Sequence, residues 1–239
     1  MSTKLSVNLN KVALIRNSRG ANLPDVIQVA KDCEHFGADG ITMHPRPDER
    51  HARYSDIPAL KEIVKTELNV EGYPNARFLN MICEVVPHQC TLVPDPPGAL
   101  TSDNGWDTIS NQSMLKEICD RLRDNGIRSS LFVNPDNSMI DGAKEVGADR
   151  IELYTGPYAH NYFHDREKAI CNYREAAIHA RNIGIEVNAG HDLNLDNLNF
   201  FISQIPWTAE VSIGHAIICD ALYYGLQNVI QMYQYQINK

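Results

Sequence analysis

Three short stretches of this sequence concentrate groups that could move protons or hold anions. GADGITMHPRPDERH (37–51) runs an apolar segment into His44, Arg46 and His51; NAGHDL (188–193) places His191 and Asp192 behind a glycine; SIGHAII (212–218) sets Gly214 and His215 before a helical pattern. A turn needs only one or two polar residues, so the density of titratable groups after position 43 asks for another reason. His and Glu can be tuned to accept or give up a proton near neutral pH. A glycine opening a helix exposes backbone N–H groups and the positive end of the helix dipole, which suits phosphate. Arg16 and Arg19 in RNSRG form one cationic group and Arg46 with His51 a second, as two phosphates or the two ends of one diphosphorylated ligand require. His44, His191 and His215 with two glutamates could bind zinc. The sequence has no HxH pair, no HExxH and no run of paired aspartates, so acid–base work is the better reading and no metal is expected.

The elements that position these groups follow from periodicity. Short β-rich runs fall at 5–10, 39–44, 68–72, 89–94, 128–134, 149–154, 184–189 and 209–214, with amphipathic stretches between them. Val26, Ile27, Ala30, Cys33 and Phe36 share one helical face, as do Phe78, Leu79, Ile82, Val85 and Val86, and Leu198, Phe201, Ile202 and Ile205. Asn75, Asp165 and Asn194 read as helix N-caps, and Gly37, Gly126 and Gly184 as helix stops. GADG (37–40) recurs as GADR (147–150), each time between a helix and a strand. Eight βα units in a single domain spanning 1–239 indicate an α/β fold, a TIM (β/α)8 barrel; a doubly wound sheet is the alternative, because a strand count does not show closure. The long loop 94–111 reads as a lid or an ordinary surface excursion.

Alternation along the strands separates an apolar face from a polar one. The polar set includes Asn8, Asn10, Thr42, His44, Asn69, Glu71, Glu152, Tyr154, Asn188, Ser212 and Gly214. A barrel turns its apolar face to its helices, so this set points inward and converges at the C-terminal ends of the strands, where TIM-barrel enzymes place their active sites. A lone strand-end histidine is more often structural, and a lone strand glutamate usually faces solvent; convergence is what favours catalysis. Buried there, Glu71 and Glu152 should find hydrogen-bonding or cationic partners.

The bulk properties narrow the partners. A net charge of −8, with no basic run of five or more, argues against nucleic acid and anionic membrane. No segment approaches the roughly 18 apolar residues of a membrane span, and the N-terminus lacks a signal-peptide core. Six scattered cysteines with no CxxC pair indicate a reducing cytoplasm rather than a disulfide framework.

The segments VNLNKVALIRNSRG, GADGITMHPRPDERH, NVEGYP, IELYTG, VNAGH and SIGHAI resemble, in order and spacing, the pyridoxine 5′-phosphate synthase family, over roughly residues 5–235. The HxRxDxRH segment and the closing GHAII are the most specific parts. The resemblance implies a TIM barrel with extra helices and a homo-octamer built as a tetramer of dimers. It implies condensation of two phosphorylated substrates, 3-amino-2-oxopropyl phosphate and 1-deoxy-D-xylulose 5-phosphate, without metal or organic cofactor. Carried over residue by residue, it makes His44 and Glu71 proton acceptors, His191 the proton donor, and Glu152 the stabiliser of charged intermediates. Asn8, Arg19, Gly214 and His215 would contact the amino-ketone phosphate, and Arg46, His51 and Thr101 the deoxyxylulose phosphate.

Three positions depart from the family pattern. Asn10-Lys11 stands where the family usually has Asp-His at the deoxyxylulose contact; Asp192 replaces a glycine after the NAGH histidine; NVEGYP replaces a more apolar segment. All four acid–base candidates remain, which reads as a divergent branch rather than an inactive one. Two other readings stay open: a TIM-barrel phosphosugar aldolase or isomerase, with Lys11 as a Schiff-base residue, and a non-catalytic binder of phosphorylated ligands. Borohydride trapping of substrate on Lys11 would support the aldolase, and failure to trap counts against it.

Overall fold

In a computed structural model that describes residues 2–95 and 102–239, the eight expected strands close into one parallel barrel in sequence order, β1 (Lys4–Asn8), β2 (Gly40–Met43), β3 (Glu67–Gly72), β4 (Gln89–Leu92), β5 (Arg128–Val133), β6 (Arg150–Tyr154), β7 (Glu186–Gly190) and β8 (Glu210–Ile213), with β8 pairing back onto β1. Closure rules out the doubly wound sheet. Ten helices are seen among the described residues: α1 (Asn10–Asn17), α2 (Val26–His35), α3 (Asp56–Ile63), α4 (Ala76–Val85), α5 (Gln112–Asp124), α6 (Asn137–Glu145), α7 (Gly156–Asn182), α8 (Leu198–Gln204), α9 (His215–Tyr224) and α10 (Leu226–Asn238). Two exceed the simple repeat: α1 is inserted after β1, and the segment after β8 divides at Gly225 (φ 76°) into α9 and α10. No helix of the described residues is long and apolar enough to cross a membrane.

Local signals acted as expected at most ends. Asn75 accepts from Phe78 N at 2.9 Å, and Gly37, Gly126 and Gly184 take φ of 106°, 71° and 71°. Asp165 caps from within: α7 breaks there into extended backbone (φ −158°), and its carboxylate accepts from Lys168 N at 3.0 Å. Asn194 caps the turn before α8, accepting from Asp196 N and Asn197 N, rather than the helix itself. The GAD echo has one physical role in both places. Asp39 accepts from Leu5 N (3.0 Å) and Asp149 from Ser129 N (2.8 Å), so each aspartate ties the start of its strand to the preceding or neighbouring strand.

The polar faces point inward, as hydrogen bonds between strands that are not neighbours show. Asn188 of β7 donates to Gln89 of β4 (3.4 Å), Arg150 of β6 donates to the same oxygen (3.0 Å), and Asn8 of β1 donates to Glu71 of β3 (3.4 Å). Between the two ends, Ser6, Thr42, Asn69 and Thr91 form a chain of hydroxyls and amides at 2.7–3.3 Å. The floor is ionic, with Arg128 paired to Glu67, and Arg150 paired to Glu186 at 2.7 Å. The apolar faces, including Leu5, Val7, Ile41, Met43, Leu68, Val70, Ile151, Leu153, Val211 and Ile213, are buried against the helices.

Arg16, expected to add charge for phosphate, is instead 2 % exposed and held bidentately by Asp56 (2.7 and 3.0 Å), with a further bond to the carbonyl of His51 (3.1 Å). It clamps α1 to the loop after β2. Removing one partner of a buried ion pair leaves the other charge uncompensated, so Arg16→Met or Asp56→Asn should each lower the unfolding free energy by about 3–5 kcal/mol, read by urea denaturation. The double variant Arg16→Met/Asp56→Leu should recover most of that loss.

Candidate active site

His44 and Glu71 meet at the C-terminal mouth of the barrel. His44 is the first residue beyond β2, and its backbone N–H donates to Asn10 Oδ1 at 2.9 Å. Asn10 is the first residue of α1 rather than the last of a strand, and its own N–H is taken by Asn8 Oδ1 at 3.0 Å. This chain of amides fixes the start of α1 and the histidine together. His44 Nδ1 lies 3.8 Å from Glu71 Oε2, the oxygen that also receives Asn8 Nδ2. Both side chains are buried, and the His51 ring stands edge-on to His44 with centroids 6.3 Å apart.

Burial governs the protonation of the whole group. Desolvation pushes the Glu71 carboxyl up to about 7, helped by Asp95 and Glu210 and opposed by Arg46 and a hydrogen bond from Ser212. Glu152 is pushed well above the usual carboxylate range by burial and by the neighbouring Glu71 and Glu210. Among the described residues no cation opposes this shift and Oε2 has no hydrogen-bond partner, while Thr91 supplies a hydrogen bond. The expected hydrogen-bonding or cationic partners are therefore found for both: Arg46 and Ser212 at Glu71, and the hydroxyl of Thr91 at Glu152. His44 is held well below its ordinary value by burial and then by Arg46, His51 and His191. His51 is lowered to about 4 by burial, Arg46, Arg50 and Lys11. His191 is lowered by burial, with Asp192 and Asp95 pulling the other way.

His191 follows β7 in an unusual backbone. His191 and Asp192 both have left-handed φ, 78° and 59°, which costs non-glycine residues energy and persists where the surroundings impose it. The imposing contacts are visible. Buried Thr155 presents its hydroxyl to the carbonyls of Gly190 and His191, and buried Asn197 donates to the carbonyl of Asp192 at 3.2 Å. The His191 ring is gripped edge-on by Phe132 (5.2 Å between centroids) and Tyr154 (5.6 Å). Gly190 lets Glu152 approach closely, since a Cβ there would meet Glu152 Oε1 and turn the carboxyl aside. Gly214 is similar: a Cβ would come within 2.9 Å of the Asn8 carbonyl.

Other expected residues are placed less tightly. Arg46 is buried and paired to Asp95 at 2.7 Å. Lys11 lies half-buried on α1 and Asp192 is exposed. Gly214 N-caps α9, and exposed His215 opens that helix, its Nε2 3.5 Å from Cys219 Sγ. Arg19 is exposed after α1, and Thr101 lies outside the described residues. Among the described residues no group of three or more His, Cys, Asp or Glu side chains is arranged to hold a metal. The site also contains groups that motif reading passed over: Asp95, Thr91, Thr155 and Phe132. Ser212 stood on the polar face of the last strand, but only the closed barrel shows that it reaches Glu71.

A profile of the family described as pyridoxal phosphate biosynthesis protein PdxJ matches residues 5–239. A Parabacteroides distasonis protein named pyridoxine 5′-phosphate synthase is 57% identical over 236 residues, covering 99% of each chain. A Cytophaga hutchinsonii protein of the same name is 56% identical, covering 99% of this chain and 100% of its own. Among solved structures, a thiamine phosphate pyrophosphorylase from Pyrococcus furiosus superposes with TM-score 0.65 at 13% identity, over 98% of this chain and 95% of that one. A phosphoribosylanthranilate isomerase from Thermotoga maritima superposes with TM-score 0.61 at 13% identity, over 99% and 98%. At that identity the likeness speaks to the barrel alone.

The raised Glu71 carboxyl has a consequence for stability. Between the unfolded value of 4.5 and the folded value of about 7, the folded state binds more protons than the unfolded one. Stability from Glu71 is therefore full below 4.5 and is lost as pH rises through about 7. Glu71→Gln should melt at a higher temperature than the parent at about pH 8, and the difference should shrink toward about pH 5, in thermal unfolding followed by circular dichroism.

Proposed function

The chain belongs to the PdxJ family of pyridoxal phosphate biosynthesis proteins, and from that membership we propose that it acts as a pyridoxine 5′-phosphate synthase, condensing 3-amino-2-oxopropyl phosphate with 1-deoxy-D-xylulose 5-phosphate to give pyridoxine 5′-phosphate, inorganic phosphate and water. The observation that carries this reading is the buried pair at the mouth, His44 Nδ1 and Glu71 Oε2 at 3.8 Å, with the carboxyl titrating at about 7 and the imidazole neutral. Closing an aromatic ring from these substrates needs an imine, several proton transfers, loss of water and loss of phosphate. Each step needs an acid or a base at neutral pH, and no single group serves every position.

The roles follow the family resemblance. Neutral His44 and the Glu71 carboxylate accept protons from the bound carbon and nitrogen acids. His191, fixed between two aromatic rings, hands a proton to the departing oxygen. Glu152, protonated at neutral pH, donates a hydrogen bond to charge that develops on a substrate oxygen. One phosphate is taken by the N-terminus of α9 at Gly214 and His215 with Asn8 and Arg19. The other is taken by Arg46, His51 and Thr101, with Asn10, Lys11 and Asp192 at the positions that set this branch apart. Holding both anions in one barrel mouth removes much of the entropic cost of their encounter.

We extend the reading to the whole protein as a cytoplasmic, single-domain barrel enzyme that assembles as a homo-octamer. Leu222, Tyr223, Tyr224 and Tyr235 are exposed on α9 and α10 and supply apolar surface for contacts between copies. Tyr233 does not take part: it is buried, and its hydroxyl donates to Asp220 at 2.8 Å. A strictly monomeric mass in solution would overturn the assembly.

The reaction is tested by mixing purified protein with freshly prepared 3-amino-2-oxopropyl phosphate and 1-deoxy-D-xylulose 5-phosphate, without added metal or cofactor, and following pyridoxine 5′-phosphate by absorbance and mass. Product is expected with the parent protein, with rates reduced by about 10²–10⁴-fold in His44→Ala and Glu71→Gln. Absence of product with folded protein and intact substrates would redirect the barrel to another phosphorylated substrate.

A further inference from the structure

The cationic motif RNSRG does a job other than the one its charges suggest, and much of it falls to a neutral residue. Asn17 closes α1, and its Nδ2 donates to three consecutive carbonyls of the loop after β2, those of Glu49 (3.4 Å), Arg50 (3.2 Å) and His51 (2.8 Å). Two donors keep the amide from turning over: Asn17 Oδ1 receives Arg16 Nε at 3.1 Å and Arg53 Nη2 at 2.9 Å. Arg16 adds its own bond to the His51 carbonyl, which thus has two donors from α1. The clamped stretch includes backbone that a free chain rarely adopts. Glu49 has a left-handed φ of 51°, in a turn closed by its N–H on the Arg46 carbonyl at 2.9 Å.

Fixing the loop also fixes a ring. The N–H of buried Ala52 donates to His51 Nδ1 at 2.8 Å. A neutral imidazole has one accepting and one donating nitrogen, so this bond places the proton on Nε2. His51 is then a hydrogen-bond donor of set orientation, and it keeps that form only while the backbone of 51 and 52 stays in place.

We propose that Asn17 is a positioning residue for the subsite that takes 1-deoxy-D-xylulose 5-phosphate, bracing the 46–52 loop so that Arg46 and His51 meet the phosphate together. This rests on the reading of Arg46 and His51 as ligands of that phosphate. Asn17 acts through the loop carbonyls and not on the substrate itself. Its removal leaves Arg46 and His51 in the chain but frees the backbone between them. Binding must then order that backbone each time, at a cost in affinity that a preorganised loop avoids. The amino-ketone phosphate is assigned to the N-terminus of α9, which Asn17 does not brace, so the cost falls on one substrate only.

The test is Asn17→Ala, which removes the amide and keeps a good helix former at the end of α1. The KM for 1-deoxy-D-xylulose 5-phosphate should rise about tenfold, while kcat and the KM for 3-amino-2-oxopropyl phosphate stay within about twofold. The Ala52 amide should exchange with solvent about tenfold faster in ligand-free protein, read by hydrogen-exchange NMR. If Asn17→Ala does not fold, Asn17→Ser removes the same amide and is read the same way. Equal rises in both KM values overturn the proposal, because they mark general loosening. So does a parent-like KM for the pentulose phosphate, even with faster exchange at Ala52, which leaves Asn17 a purely structural brace. If the parent makes no product, the proposed reaction falls, and calorimetric titration with the pentulose phosphate decides the role of Asn17 alone. Weaker binding by the variant than by the parent supports it; equal binding, or none by the parent, overturns it.

Discussion

A closed barrel lined with polar side chains leaves its buried carboxyls out of reach of bulk water, and the chemistry at the mouth follows from that constraint. Glu71, Glu152 and Glu210 lie within one interior and each is pushed upward by burial, with their mutual repulsion adding to the shift at Glu71 and Glu152. Charge is therefore rationed. Glu210 has Arg150 and Arg128 to oppose its shift, and Glu71 has Arg46 and the hydroxyl of Ser212. Among the described residues Glu152 has a hydrogen bond from Thr91 and no opposing cation, so burial pushes its carboxyl well above the usual carboxylate range. A neutral carboxylic acid can donate a hydrogen bond, whereas an ionised one can only accept. Differences among three chemically equivalent side chains thus arise from which strand each sits on and what the adjacent strand presents.

The same constraint explains why the histidines need so much scaffolding. An imidazole in a desolvated site loses its charge unless acids face it, and loses its aim unless its backbone and ring are fixed. His44 is fixed by the amide chain through Asn8 and Asn10. His191 is fixed differently, by two left-handed residues that Thr155 and Asn197 hold by their carbonyls. Asn197 is itself anchored, since the Tyr158 hydroxyl donates to its carbonyl at 2.7 Å. The support for one proposed proton donor thus reaches into α7, one element removed from the mouth.

Strand alternation made the barrel legible. Eight strands with helical spacing between them indicate the barrel, and a period of two in six of them indicates which residues point inward, His44, Glu71, Glu152 and Asn188 among them; closure itself shows only in the pairing of β8 with β1. What alternation does not encode is pairing across the interior. Arg16 and Asp56 are forty positions apart and look like solvated loop and helix charges; only the packing of α1 onto the β2 loop makes them a buried clamp. Asp95 sits in a proline-rich run that reads as surface turn, and the closed barrel turns it inward onto Arg46. Tyr233 and Tyr235 are two residues apart on one helix, yet helical geometry sends one inward and the other to the surface. Local signals resolve elements and faces; long-range partners need the fold.

The departures from the family pattern bear on charge rather than on the four acid–base candidates. Asn10 keeps a side-chain oxygen for the His44 N–H, as an aspartate in that place would, while removing one negative charge from the mouth. Lys11 then adds a positive charge that reaches His51 and helps to keep it neutral. Asp192 returns a negative charge on the opposite side, beside His191, where it favours the protonated ring against burial. Its backbone sits in the left-handed region that a glycine enters freely and an aspartate tolerates better than most residues. Read as separate substitutions, these look like lost substrate contacts. Read as a set, they move negative charge from the side of the mouth that bears Arg46 and His51 to the side that bears His191. That shift leaves the first side more positive and sets beside His191 a carboxylate that opposes the lowering of its ring by burial.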